Sequence, residues 1–175
     1  MASKIVTKEE MLARVARFKD LTPSARPLVD AVLPQFQREI FQIIGGGVTE
    51  DASIRAPITA VEGFHLSIVK AGSKKGTGLH NHKTVEVFVV LTGTWSVQWG
   101  DDGENELTLG PWDVISIPTG IMRGFRNDSA DEAYLLAIVG GDDPGRVAWA
   151  GNVMEAVREK GFDLDEKGKI VEVRR

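Results

Sequence analysis

The chain has 175 residues, 42% hydrophobic and 26% charged, which suits one globular domain with a sizeable core. Its net charge of −4 offers no broad basic field, which argues against nucleic acid as a partner. With no cysteine it has no disulfide framework, thiolate metal site or cysteine nucleophile. The opening Met-Ala-Ser-Lys-Ile-Val-Thr-Lys-Glu-Glu lacks the apolar stretch of a signal peptide, and no apolar run approaches the ~20 residues of a membrane span. A cytoplasmic protein with no membrane partner is the expectation.

Nineteen glycines fall mostly between short apolar runs, a pattern of all-β chains with many turns. Thr7-Lys8-Glu9-Glu10 reads as a capping box, and Met11, Leu12, Val15 and Phe18 recur at helical spacing, so a helix is predicted from about Lys8 to Lys19. Pro23, Pro27 and Pro34 predict an extended or broken linker, followed by a strand over Glu39–Ile44 that Gly45-Gly46-Gly47 ends. Strands are then expected at 64–69, 86–91, 94–99, 107–109, 114–117, 123–127 and 133–139, with turns at Thr92-Gly93 and Asp101-Asp102-Gly103. In the tail, Asn152 is placed as a helix cap with Gly161 just past the helix end, and a short strand at Ile170–Val173 follows a turn at 165–169. The organisation expected is an N-terminal arm (1–62), whose last strands join a β-barrel core (63–140), and a helix-and-strand tail (141–175). No internal repeat and no second domain are expected.

The chemistry concentrates in His80-Asn81-His82-Lys83-Thr84-Val85-Glu86. Two imidazoles and a carboxylate suit a non-haem Fe(II), Mn(II) or similar divalent ion. His80 and His82 share a face if they lie on a strand. Glu86 cannot join them along one straight strand, because four residues at ~3.3 Å span roughly 13 Å and metal bonds are ~2.0–2.2 Å. A metal site therefore requires the chain to fold back near Lys83-Thr84, so that Glu86 begins the next strand. Other sequence features carry less. The acidic stretch Asp101–Glu106 lacks the spaced ligands of a calcium loop, and Gly45–Gly47 has no following Lys-Ser or Lys-Thr and is no phosphate loop.

Two segments together resemble the two motifs of the cupin superfamily. The first is His80-Asn81-His82, then Glu86 and Gly93. The second is Gly110-Pro111-Trp112-Asp113, then Pro118-Thr119-Gly120, Arg123 and Asn127. The resemblance covers roughly Gly63 to Val139. It implies an antiparallel double-stranded β-helix, or jelly-roll barrel, with one divalent ion held by His80, His82 and Glu86. The fold alone does not choose an activity, since the family hosts dioxygenases, decarboxylases, isomerases, lyases, storage proteins and transcription factors.

The chain departs from the metal-binding pattern at Arg123, where such cupins usually carry a fourth ligand, a histidine. Arginine stays protonated and is not a metal ligand. Three outcomes are open. The facial set can hold the metal, with Arg123 binding an anionic substrate. Arg123 can instead pair with Glu86 and leave a metal-free barrel that takes a small anion. Or another side chain replaces the missing histidine, and His65 is the only histidine left. His65 points into the barrel if Phe64, Leu66 and Ile68 face outward, where it would be a fourth ligand, a general base or a partner of the ligands. The metal residues expected are therefore His80, His82 and Glu86, and the catalytic ones Arg123 and His65. The function expected is a metal-dependent enzyme, dioxygenase-like or a lyase or isomerase, acting on a small enolisable or carboxylated molecule. Fe(II) or Mn(II) is favoured, and nickel, cobalt or zinc remain compatible. A homodimer is the expected assembly, the arm covering a partner's sheet edge.

Overall fold

Alternating burial sets the strands. In β4 (Glu86–Val90) and β9 (Ala133–Gly140) every second residue is buried, the period of a strand with one face on a core. The computed structural model describes residues 3–59 and 63–173. The expected boundary at 62/63 abuts residues 60–62, which lie outside that range. Among the described residues the main strands form two five-stranded antiparallel sheets. One runs β1 (Arg38–Ile44), β2 (Phe64–Ala71), β9, β4, β7 (Val114–Ile117); the other runs β10 (Ala148–Trp149), β3 (Gly76–Asn81), β8 (Arg123–Asn127), β5 (Trp95–Trp99), β6 (Asn105–Leu109). This is the double-stranded β-helix expected.

The sheets enclose a core that includes Val69, Phe88, Trp95, Val97, Phe125 and Leu135. Phe125 meets Phe88 and Trp95 edge-on, with ring centroids 5.3 and 5.8 Å away. Each such side chain contributes roughly 1.5–3 kcal/mol by leaving water. Phe88 and Phe125 also line the internal cavity that His65, His80 and His82 line.

Three sequence expectations need correction. The N-terminal helix, α1, spans only Lys8–Leu12. Its capping box forms, with Glu10 N–H donating to Thr7 Oγ1 at 3.1 Å, but none of its residues is buried. A helix without a packed face is marginal in water, so the periodic pattern does not propagate. Phe18 instead lies in a 3₁₀ turn and packs on Phe41 and Tyr134. The C-terminal helix, α2 (Gly151–Glu159), is capped at Ala150 rather than Asn152, and Gly161 follows its end at φ +81°.

The proline-rich segment is not an extended linker. It forms two 3₁₀ turns, Val29–Val32 and Pro34–Phe36, that pack Val29 and Leu33 against Val153 and Val157 of α2. The hairpin of β11 (Phe162–Leu164) and β12 (Ile170–Glu172) adds Phe162, Leu164 and Ile170 to this second cluster. Buried Asp30 ties the segment to the barrel. It accepts two hydrogen bonds from Arg38 (3.0 and 3.1 Å), one from Thr77 Oγ1 (2.9 Å) and one from Gly78 N–H (3.0 Å).

Candidate metal centre

Strand register places the site. On one sheet His65, Val139 and Glu86 pair in a lateral row across β2, β9 and β4. On the other, Trp149, His80, Arg123 and Trp99 pair across β10, β3, β8 and β5. The ladder of β3 is irregular between Thr77 and His80, which pair with Phe125 and Arg123 respectively. Residues three apart take opposite faces of a regular strand, so this bulge is what lets both be buried on the barrel side. The chain then bends through Lys83-Thr84 and crosses sheets, and Glu86 opens β4. That is the fold-back the ligand spacing demanded.

His80, His82 and Glu86 come together as a buried cluster, with donor atoms within 4.8 Å of one another. Among the described residues no other group of three His, Cys, Asp or Glu side chains meets this description, so the acidic hairpin at 101–106 forms none. Backbone contacts orient both imidazoles. His80 Nδ1 lies 2.8 Å from Gly78 O, and His82 Nδ1 lies 3.0 Å from Thr84 O and 2.8 Å from Thr84 Oγ1. A carbonyl only accepts, so each ring carries its proton on Nδ1 and presents the Nε2 lone pair, the arrangement of a metal-ligating histidine.

Arg123 is fully buried against this cluster. Its Nε and Nη2 donate to one oxygen, Glu86 Oε2, at 3.1 and 2.8 Å, and Nη2 also touches His82 Nε2. Nη1 donates to the carbonyls of His80 (3.4 Å) and Ile121 (3.3 Å). The guanidinium's five N–H groups thus all face acceptors within the protein. The fork expected to meet a substrate meets Glu86 instead, and Glu86 Oε1 accepts no hydrogen bond among the described residues.

The electrostatics follow. Burial works to raise the Glu86 carboxyl, but contact with His82 and the Arg123 charge outweigh it and hold it at about 2. Because Thr84 keeps the His82 proton on Nδ1, the guanidinium is the group that holds Glu86 ionised. Burial, and secondarily Arg123, depress His80 to about 3, so its lone pair is available well below neutral pH.

The donor set fits a divalent ion in chemistry. Bonds of ~2.0–2.2 Å on neighbouring coordination positions put donors roughly 3.0–3.5 Å apart, so the trio, now within 4.8 Å, draws together by up to about 1–2 Å to close on an ion. Loading also requires Arg123 Nη2 to release His82 Nε2, while Oε1 of Glu86 already stands clear of the guanidinium.

His65 is buried on the inner face, with Phe64, Leu66 and Ile68 more exposed on the other. It lines the same internal cavity as His80, His82 and Glu86, but it is not part of the ligand cluster. Gly47 N–H donates to its Nδ1 at 3.2 Å. A nitrogen that accepts carries no proton, so the ring proton sits on Nε2, and that Nε2–H is buried without a partner among the described residues.

Three supporting residues escaped the sequence reading. Thr84 fixes the His82 tautomer. Trp149 packs its ring 5.2 Å from that of His80 and donates Nε1–H to Glu50 at 2.9 Å. Burial raises Glu50 to about 7, against the hydrogen bonds from Trp149 and Val29 N–H. Trp149 and Glu50 have no local signature, because each matters only through a distant partner; Thr84 lies two residues from His82, and its signal was the bend itself.

Residues 65–139 match the family model described as "Cupin domain". No curated protein sequence matches the chain. Solved structures with a similar fold include the polyketide cyclase RemF from Streptomyces resistomycificus (17% identity, TM-score 0.59, 77% of this chain and 83% of that one). Others are an oxalate decarboxylase from Lactobacillus farciminis in complex with formate (13%, 0.57, 80% and 36%) and a cupin 2 domain-containing protein from Halorhodospira halophila (18%, 0.53, 70% and 77%). At these identities the likeness is one of fold. With both motifs placed on the facing sheets of a double-stranded β-helix, the chain has the cupin fold, and residues 65–139 match the cupin domain.

Proposed function

We propose that the protein is a metal-dependent cupin enzyme acting on a small enolisable or carboxylated molecule. The observation that carries this is the pair of imidazoles locked with Nε2 toward a carboxylate that keeps one oxygen unengaged. His80, His82 and Glu86 hold the ion, and Fe(II) or Mn(II) suits them best. Bound there, the ion supplies Lewis acidity for lyase or isomerase chemistry or redox chemistry for a dioxygenase. Arg123 keeps Glu86 ionised and in place, and Phe88 and Phe125 give the cavity beside the ligands apolar walls. Support for an enzyme also comes from the similar structures, which include a cyclase and a decarboxylase.

A second reading has its own observation. Arg123 already neutralises Glu86 and occupies His82 Nε2, which favours a metal-free barrel that binds a small ligand without catalysis. The two readings part on one experiment. The metal-loaded protein is offered diketones, flavonols and aromatic acids while O₂ uptake and product formation are followed. Turnover that His82→Ala abolishes supports the enzyme; a loaded protein inert to the whole panel counts against it.

As assembly we propose a homodimer. Ile5, Met11, Leu12 and Val15 of the arm are exposed apolar side chains that a partner's surface would cover. Light scattering that returns a monomer at micromolar concentration contradicts this.

A further inference from the structure

We propose that His65, through its Nε2–H, is the hydrogen-bond donor that selects the ligand of this site: a small group bearing an acceptor oxygen, such as a carboxylate or carbonyl head. The inference rests on the reading of His80, His82 and Glu86 as the binding centre. It departs from the roles of fourth metal ligand and general base, since both need a lone pair on Nε2, and Gly47 N–H occupies the only nitrogen that has one.

Four observations converge. His65 is 8% exposed, and its Nε2 has no hydrogen-bond partner among the described residues. A buried donor left unsatisfied is costly, so the site is built for an acceptor that arrives from outside. The register sets His65 in the same inward row as Glu86, with only β9 between them, or roughly 10 Å between backbones at ~4.8 Å per strand. Both side chains line one internal cavity, with Val139 between them in the row.

The tautomer is built in. Gly45 and Gly47 both take left-handed backbone (φ +64° and +61°), and a Cβ on Gly45 would lie 2.2 Å from His65 Nδ1. Two glycines therefore let the loop close on the ring and aim Gly47 N–H at Nδ1. Finally, the cavity measures about 50 Å³. At ~10–15 Å³ per water-sized group this admits about four heavy atoms, the size of a carboxylate with its α-carbon. The other orphaned donor lining the cavity, Arg38 Nε, is a separate matter. Arg38 pairs with Ala71, six residues along β2 from His65, and its guanidinium is already held by Asp30 and the carbonyls of Phe36 and Gly76.

Charge decides which head group. Glu86 and Arg123 cancel, so the metal-free site favours a neutral carbonyl, and an added divalent ion makes it attract a carboxylate. The test uses ¹⁵N-histidine-labelled protein carrying its metal, with acetate and acetamide as probes. The free protein should show His65 protonated on Nε2, and a proton on Nδ1 overturns the proposal. Acetate should shift the Nε2–H signal saturably, and His65→Phe should weaken acetate about tenfold or more while keeping wild-type metal content. Equal acetate affinity in the variant overturns the donor role, and loss of its metal makes His65 a ligand instead. If the wild type takes up no metal, the metal reading fails separately. Acetamide then decides His65 by the same shift and the same variant.

Discussion

Replacing Arg123 by methionine keeps an apolar stem of similar length and removes the charge from a fully buried pair. Glu86, held at about 2 by its surroundings, then lacks its counter-ion. With charge centres roughly 4 Å apart and an effective dielectric near 20, the lost attraction is about 4 kcal/mol. Breaking one side of a buried ion pair costs about 3–5 kcal/mol by mutation, which agrees. At ~2–4 °C per kcal/mol for a chain of this size, the metal-free variant should melt about 6–20 °C below the wild type. A divalent ion on His80, His82 and Glu86 takes over the neutralisation, so Mn(II) or Zn(II) should recover most of that loss and stabilise the variant more than the wild type. Urea titrations with chelator and with saturating metal read both numbers. A metal-free loss below about 1 kcal/mol, or equal metal stabilisation of both proteins, refutes the account of Glu86 shared between guanidinium and ion.

Acid behaviour has two opposing parts. His80 is depressed from 6.5 to about 3, so the unfolded chain takes up its proton first and stability falls as pH drops below about 6.5; Glu86, depressed from 4.5 to about 2, adds a loss below about 4.5. Glu50, raised from 4.5 to about 7, acts the other way and adds stability as pH falls through 7. Glu50→Gln should therefore steepen the acid loss between pH 6.5 and 4.5 and stabilise the protein at pH 8 by up to about 3 kcal/mol; denaturant midpoints identical to wild type at both ends contradict this. Gly76→Ala places a Cβ 1.8 Å from Phe125 O, whereas one on Gly46 meets nothing within 4 Å. The first substitution should cost about 3 kcal/mol or more and the second little, as thermal melts will show; a tolerant Gly76 refutes the close approach of β3 and β8.

The barrel was legible because its signals are local. Short apolar runs bounded by turn residues, as at 86–91 before Thr92-Gly93, marked strands, and the ligand spacing forced a bend at Lys83-Thr84 that the chain makes. The misread regions are those where packing overrides pattern. Helical spacing over Met11–Phe18 met no partner surface and stopped at Leu12, while the prolines of 23–34 concealed a segment whose Val29 and Leu33 bury against α2. At the site, the motifs located the ligand trio and put Arg123 beside it. They could not show that Arg123 faces Glu86 rather than the cavity, nor that Gly47 sets the tautomer of His65, because both follow from contacts between distant segments.

The most direct test is elemental analysis of the untagged protein, purified without chelator, beside His80→Ala and Glu86→Ala. The account predicts close to one divalent ion per chain in the wild type and loss of it in both variants. A wild type that is metal-free and takes up none of Fe(II), Mn(II), Ni(II) or Zn(II) would contradict it and make Arg123 the permanent occupant of the site.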